Sequence, residues 1–473
     1  MKKNPYRKNN IWRRLIPLIL ILLMLITTFL SAAIAFAAEP YWPTGIDVSS
    51  ASAIVMEAET GTVLYGKNID DIHYPASITK ILTGLVAVEN SALDEVVTFS
   101  EDAVYKNEGN SSHIARDVGE EMTMEECIYG MLLESANECA YAIAEHIGGG
   151  DVNVFIKMMN DRAKELGCTN THFVNPNGLP DEEHYTSAHD MALIGQAAVN
   201  NDTLAQIMAT KSYTIPPTNR HDEPTLLNNH HAMLNYYKTS KYLYDGCIGG
   251  KTGYTVDANN TLVTFARRDK MTLICVVMCV DGPYHYVDTT NLFDYCFDNF
   301  RMEDVTDADE LFTNLSEEST GALSDHVDLL NAKTSGRIIL PKTADIRDTV
   351  LRVEPVEKGE EEDVIAHLVY TYGDHEIGTG KLIFESSDIA PYPFHNLPVE
   401  EGGSEVDYFR VDYKLILTIA GAVVAVGVIL YGLFIQISRL SLKSRRRRAE
   451  RKQNKSPFKR IYRRRRRRRK KLF

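Results

Sequence analysis

The sequence predicts an α+β fold, an antiparallel sheet flanked by helices, followed by a small all-β domain and a C-terminal transmembrane helix. Three observations predict it. Strand-like runs at 251–255, 261–266 and 271–279 follow one another closely, as an antiparallel meander does. Two more runs, 52–57 and 62–66, form a hairpin near the N-terminus that can complete the sheet, with helical patterns in the interval between. A charge-free apolar run at 415–437 is long enough to cross a bilayer as a helix.

The elements follow in order. Lys2, Lys3, Arg7, Lys8, Arg13 and Arg14 precede an apolar run, and Ala35-Phe36-Ala37 offers a small-residue cleavage site. That layout predicts a signal peptide over 1–37, with an uncleaved anchor as the alternative. The hairpin strands meet at Glu59-Thr60-Gly61. Pro75-Ala76 leads into a helical pattern that starts at Ser77. Residues 122–147 read as a helix in two pieces, with Glu134-Ser135-Ala136-Asn137 between them. Ser187-Ala188-His189-Asp190 resembles a capping box opening a helix over 191–199. A first, larger domain over 38–300 contains all of these. From Arg301 the texture changes to strand-like pieces at 336–340, 364–372 and 381–384, a small β-rich domain over 301–387. Residues 388–414, with Pro391, Pro393, Pro398 and Gly402-Gly403, read as a linker to the membrane helix. No internal repeat is visible.

The tail, 438–473, carries 20 Lys/Arg and a single acid, Glu450. The positive-inside rule therefore puts the C-terminus in the cytoplasm and everything between the two apolar runs outside, in a single-pass cell-membrane protein. Residues 38–438 hold 25 basic and 63 acidic residues, a net −38 hidden within the whole-chain −13. A field of that sign argues against nucleic acid as a partner of the outer portion. For the tail, with arginine at every position of 463–469, adhesion to anionic lipid is favoured over nucleic acid or a protein partner. Seven cysteines cannot all pair and show no metal-ligand spacing, so mostly free thiols are expected.

Three short motifs carry chemistry: Ser77-Ile78-Thr79-Lys80, Ser135-Ala136-Asn137 and Lys251-Thr252-Gly253. The first alone is weak, since Ser456-Pro457-Phe458-Lys459 in the basic tail matches it by chance. Order, spacing and placement give the set its weight. A serine hydroxyl needs a base within hydrogen-bond reach. Lys80, three residues on and on the same helix face as Ser77, supplies one if burial and a nearby cation such as Lys251 keep it neutral. In this reading Ser77 is the nucleophile and Lys80 the general base. Ser135 relays a proton to the leaving amine, and Asn137 orients Lys80 and the substrate amide. Lys251 and Thr252 bind a substrate carboxylate, Gly253 lets the substrate backbone approach, and the N–H groups of Ser77 and Tyr254 form an oxyanion hole. His172, His184, His189, His230 and His231 are read as structural, because this chemistry needs no histidine. No metal and no cofactor are expected.

These motifs resemble those of the low-molecular-mass penicillin-binding proteins, the serine-type D-alanyl-D-alanine carboxypeptidases of the Peptidase S11 family. The likeness runs from about Ala51 to Phe300. It includes 53–61, 171–179 (Thr-His-Phe-Val-Asn-Pro-Asn-Gly-Leu), 184–192 and the stretch from Asp245-Gly246 to Thr255. The resemblance implies a β-lactamase/DD-peptidase-like transpeptidase fold and removal of the terminal D-alanine from peptidoglycan stem pentapeptides through a Ser77 acyl-enzyme. It also implies covalent capture of β-lactams. Two departures stand out. Ala136 replaces a common glycine, and Asn229-His230-His231 lies where relatives often place a basic residue near the substrate carboxylate. Competing readings are a β-lactamase using Glu182 or Glu183 as a deacylating base, a D,D-endopeptidase, and a non-catalytic penicillin-binding wall sensor.

Overall fold

The computed structural model describes residues 41–106, 111–305, 332–356 and 364–384. The expected signal peptide, linker, membrane helix and tail lie outside those residues. No helix among the described residues is long and apolar enough to cross a membrane. The chain divides into two compact units after Ile389, and everything described belongs to the first.

In chain order, β1 (Ser52–Glu57), β2 (Val63–Lys67) and β3 (Ile72–His73) lead to a 3-10 turn, Ala76–Thr79, and helix α1 (Lys80–Asn90). Next come β4 (Val96–Thr98), α2 (Glu101–Tyr105), β5 (Glu121–Thr123), α3 (Met124–Leu133), α4 (Asn137–Ile147) and α5 (Val152–Glu165). After them lie β6 (Thr186–Ser187), α6 (Ala188–Val199), α7 (Asp202–Ala209), β7 (Ser212–Ile215) and β8 (Thr225–Asn228). The meander follows as β9 (Cys247–Thr255), β10 (Asn259–Arg268) and β11 (Met271–Val280), then α8 (Tyr284–Asn299) and β12 (Phe300–Asp304). Strands β13 (Ala332–Pro341), β14 (Val350–Pro355), β15 (Val364–Tyr372) and β16 (His375–Phe384) complete the described chain.

The principal sheet has the order β2-β1-β11-β10-β9, so the N-terminal hairpin does complete the meander, pairing antiparallel through β1 and β11. Successive side chains of a strand point to opposite faces. In β1, Ala53 and Val55 face one core while Ile54 and Met56 face the other; β11 alternates in the same way from Leu273 to Met278. Both faces are covered, which is why these strands read as unbroken apolar runs. Helix α8 covers one face with Leu292, Phe293, Cys296 and Phe297. Helix α1 lies on the other side and is buried from Lys80 to Ala87, the pattern of a helix apolar nearly all round. Strand β9 is the sheet's edge.

Local chemistry sets the helix starts. Thr123 caps α3 in a full box: its hydroxyl accepts from the Glu126 N–H, whose carboxylate accepts from the Thr123 N–H. Ser187 caps α6 by accepting from the Asp190 N–H, but the reciprocal bond of the expected box is not formed, and the helix begins at Ala188, not Met191. Asp190 turns instead to the preceding loop, accepting from the Asn170 N–H and the Thr171 hydroxyl.

The second sheet, β12-β13-β16-β15-β14, occupies the region read as a β domain, and starts at Phe300. It is joined to the first sheet by shared packing, since Phe300 and Ile339 lie in the core under α8 and Trp42 touches both cores. All seven cysteines are free; in β11 Cys275 is buried and Cys279 half-buried.

Near the site, buried Glu120 accepts from Arg116 Nη1 (2.9 Å), the Asp117 N–H (2.8 Å) and the Thr218 hydroxyl (2.8 Å), and thereby pins the loop before β5 to residues 218–225. Glu120→Ala is expected to cost about 3 kcal/mol, because Arg116 would remain buried and unpaired. Urea unfolding of the variant against the parent measures it; a change below about 1 kcal/mol would refute this role for the pair.

Candidate active site

Ser77 lies in the 3-10 turn immediately before α1. The turn is entered through Ala76 at φ +53°, a left-handed conformation that non-glycine residues seldom adopt. Neighbours hold it from three sides. The Thr261 hydroxyl donates to the Pro75 carbonyl at 2.7 Å. His184 accepts from the Val174 N–H through Nδ1, so its Nε2 carries the proton and donates to Thr79 Oγ1 at 2.9 Å. Burial drives the His184 pKa down to about 3, which keeps the ring neutral. Gly178, at φ +84°, presses so closely on the turn that a Cβ there would lie 1.9 Å from the Ala76 carbonyl oxygen.

Lys80 is fully buried. Its Nζ lies 2.9 Å from Ser77 Oγ, 2.7 Å from Asn137 Oδ1 and 2.5 Å from the Asn177 carbonyl oxygen. Burial, and after it the charge of Lys251, hold the Lys80 pKa well below the ordinary lysine value, while Glu138 opposes them. A neutral amine has two N–H donors and one lone pair. The Asn137 and Asn177 oxygens can only accept, so they take the two donors. The lone pair is left for the Ser77 hydroxyl proton.

Ser135 links the second motif to the third. It sits between α3 and α4 at φ +63° and accepts from Lys251 Nζ at 3.0 Å; the same ammonium donates to the Thr252 carbonyl at 2.8 Å. Burial, with a smaller contribution from the Lys238 charge, brings the Lys251 pKa down to about 7.

The structure therefore joins Ser77, Lys80 and Asn137 in one hydrogen-bonded group and Ser135 with Lys251 in another, while Thr252, Gly253 and Tyr254 line the free edge of β9. Gly253 has a second role beside the expected one, in the protein's own packing: a Cβ there would lie 2.3 Å from Thr261 Oγ1 and 3.0 Å from the Ser77 nitrogen. That approach sets the Ser77 N–H beside the β9 backbone at Gly253-Tyr254. The region of the missing basic residue is also resolved. Asn229 is spent on the Met208 and Thr210 carbonyls, and buried His231 is held at Thr264 Oγ1. His230 pairs with Glu134 at 2.6 Å, the residue before Ser135.

Several participants escaped the sequence reading: the Asn177 carbonyl, Gly178, the Thr79–His184 brace and Lys238. Buried Glu138 was also missed; it takes the Ile114 N–H at 2.6 Å. Asn175-Pro176-Asn177-Gly178 is a strong turn signal that could have marked a sharp loop, but nothing in it says that the loop meets Lys80.

A buried lysine between a serine and an asparagine, with a second lysine on a neighbouring edge strand, defines a serine hydrolase of the acyl-transfer class. The family model described as D-alanyl-D-alanine carboxypeptidase matches residues 35–282, and the chain belongs to that family, Peptidase S11. It is 31% identical over 362 residues to the D-alanyl-D-alanine carboxypeptidase DacF of Bacillus subtilis, covering 74% of this chain and 88% of that one. A D-alanyl-D-alanine endopeptidase of Pseudomonas aeruginosa is 32% identical over 281 residues, 57% of this chain and 86% of the relative. Among solved structures, penicillin binding protein 5 from Haemophilus influenzae superposes with a TM-score of 0.57 at 25% identity, covering 72% of this chain and 99% of its own.

Proposed function

We propose that the chain is a serine D,D-carboxypeptidase that removes the terminal D-alanine from peptidoglycan stem pentapeptides through an acyl-enzyme at Ser77, and that β-lactams acylate the same oxygen. The observation that carries this reading is the set of three contacts at Lys80 Nζ, which leaves a neutral amine's lone pair facing Ser77 Oγ.

In the first step the Ser77 proton moves to Lys80 and Oγ bonds the carbonyl carbon of the penultimate D-alanine. The Ser77 and Tyr254 N–H groups receive the oxyanion, an arrangement worth several kcal/mol in acyl transfer. Collapse breaks the C–N bond, and the leaving amine takes its proton through Ser135 from the lysine pair. Lys251 and Thr252 hold the terminal carboxylate while Asn137 orients Lys80 and the substrate amide. Water, deprotonated by Lys80, then hydrolyses the Ser77 ester and frees the shortened peptide.

The setting belongs to the same proposal. A signal peptide over 1–37 exports residues 38–300 as the catalytic domain, with the second sheet as a small β-rich domain after it. The 415–437 helix anchors the protein in the cell membrane, and the basic tail lies in the cytoplasm against anionic lipid. An endopeptidase reading draws support from the Pseudomonas relative. One assay tests these readings: the purified full-length chain is given a fluorescent penicillin, and separately a stem pentapeptide and a cross-linked dimer. Covalent label with D-alanine released from the pentapeptide is expected. Absence of label would overturn the acyl-enzyme, and cleavage of the dimer alone would establish the endopeptidase.

A further inference from the structure

A cavity of about 370 Å³ opens beside the nucleophile's turn, lined by Tyr74, His73, Glu182, Tyr185, Asp257 and Ala258 among others. Tyr74 lies three residues before Ser77, and Asp257 and Ala258 form the turn that ends β9. Position along β9 gives the cavity its meaning. Lys251 stands on one side of the reacting carbonyl, Gly253 lies against Ser77, and Thr255 to Ala258 continue on the other side. If Lys251 holds the terminal carboxylate, the acyl part of the peptide runs past Tyr254 towards that turn. From Gly253 to Thr255 is roughly 7 Å of strand, about two residues of an extended peptide. On that path the residue preceding the two alanines would be directed towards the turn whose Asp257 and Ala258 line the cavity.

The chemistry of the wall is one-sided. Glu182 and Asp257 are exposed, and among the described residues neither carboxylate has a hydrogen bond or ion pair. Among the described residues, no lysine or arginine lines the cavity. His73 is committed to Ser52 Oγ at 2.7 Å, and burial lowers its pKa, so it adds no competing cation near neutral pH. Tyr74 and Tyr185 offer apolar surface to a methylene stem. The two acids come from different loops, one between the second and third motifs and one at the end of β9.

We propose that this cavity is the subsite for the residue preceding the two alanines, and that it takes a side chain ending in a free ammonium group, between Glu182 and Asp257. This rests on the carboxypeptidase reading and deepens it. The enzyme would favour stems whose diamino residue is unmodified over those whose side-chain amine is already acylated by a cross-link.

The test uses the full-length protein in detergent and two synthetic pentapeptides, L-Ala-γ-D-Glu-L-Lys-D-Ala-D-Ala with the lysine amine free or acetylated. The parent is expected to release D-alanine from the free-amine peptide with a kcat/KM higher by roughly fivefold or more, mostly through KM. In the Glu182→Gln, Asp257→Asn double variant the ratio should fall to near one, while penicillin labelling and turnover of the acetylated peptide stay at parental values. Equal turnover of both peptides by the parent, or a preference that survives in the double variant, overturns the subsite alone. If neither peptide releases D-alanine and the parent takes no penicillin label, the carboxypeptidase reading fails and the subsite falls with it.

Discussion

Replacing Lys80 by methionine will slow acylation by a fluorescent penicillin by about 10³-fold, within the range general-base catalysis supplies, and Ser77→Ala will take no label at all. Methionine has nearly the length of lysine and suits an apolar site, so the loss is chemical: the lone pair facing Ser77 Oγ at 2.9 Å is gone. The variant also leaves Asn137 Oδ1 and the Asn177 carbonyl without their donor, so its melting temperature should be recorded beside the rate. A folded Lys80→Met protein that acylates at the parental rate would remove Lys80 as the base. The same lysine pair shapes the pH profile. As pH falls through the depressed Lys80 pKa, the amine gains a proton and its lone pair disappears, so acylation declines on the acid side. As pH rises past about 7, Lys251 loses its charge, and under the proposed carboxylate-binding role kcat/KM is expected to decline on the alkaline side. The Lys238 charge lowers the Lys251 pKa, so Lys238→Met should move the alkaline limb to higher pH. The two lysines interact, so the limbs belong to the pair and not to one residue each.

The strands of the meander were legible because each is a short apolar run bounded by turn residues. Their ends extended by only a few positions, as from 251 to Cys247 in β9. The two helices around Ser135 were legible because period and break coincide. Helix α8 was not. Tyr284–Asn299 is rich in aspartate, asparagine, threonine and aromatics, which favour helix weakly, and only packing of Leu292, Phe293, Cys296 and Phe297 on the sheet makes it one. The site divides along a similar line. Ser77, Lys80, Ser135, Asn137 and Lys251 were legible because short spacing and side-chain chemistry identify them. The Asn177 carbonyl was not, because any residue has a carbonyl and its use depends on a loop 97 positions away in sequence. Gly253 was singled out for only part of what it does: its missing side chain also makes room for Thr261 and the Ser77 backbone, a contact no pattern encodes.

That dependence on backbone placement leads to the second large effect. Gly178→Ala is expected to destabilise the protein by about 3 kcal/mol and to slow penicillin acylation by about 10²-fold. Two costs combine. Gly178 has φ +84°, which an alanine adopts only under strain, and its Cβ would lie 1.9 Å from the Ala76 oxygen and 2.4 Å from the Ala76 carbonyl carbon. Both obstacles are backbone, so no side chain can swing aside. The loop must back away and carry the Asn177 carbonyl from Lys80, or the turn must shift and carry Ser77. Either movement alters the contacts that leave the lone pair facing Oγ. Gly150→Ala separates the two costs, because Gly150 has φ +95° but nothing within 4 Å of where its Cβ would stand. It should lose only about 1 kcal/mol to strain and acylate at the parental rate. If Gly178→Ala matched that control in both melting temperature and acylation rate, the pressure of the 175–178 loop on the nucleophile's turn would have no catalytic role. The larger loss of rate is expected, because the base is aimed by a carbonyl that only this close approach can deliver.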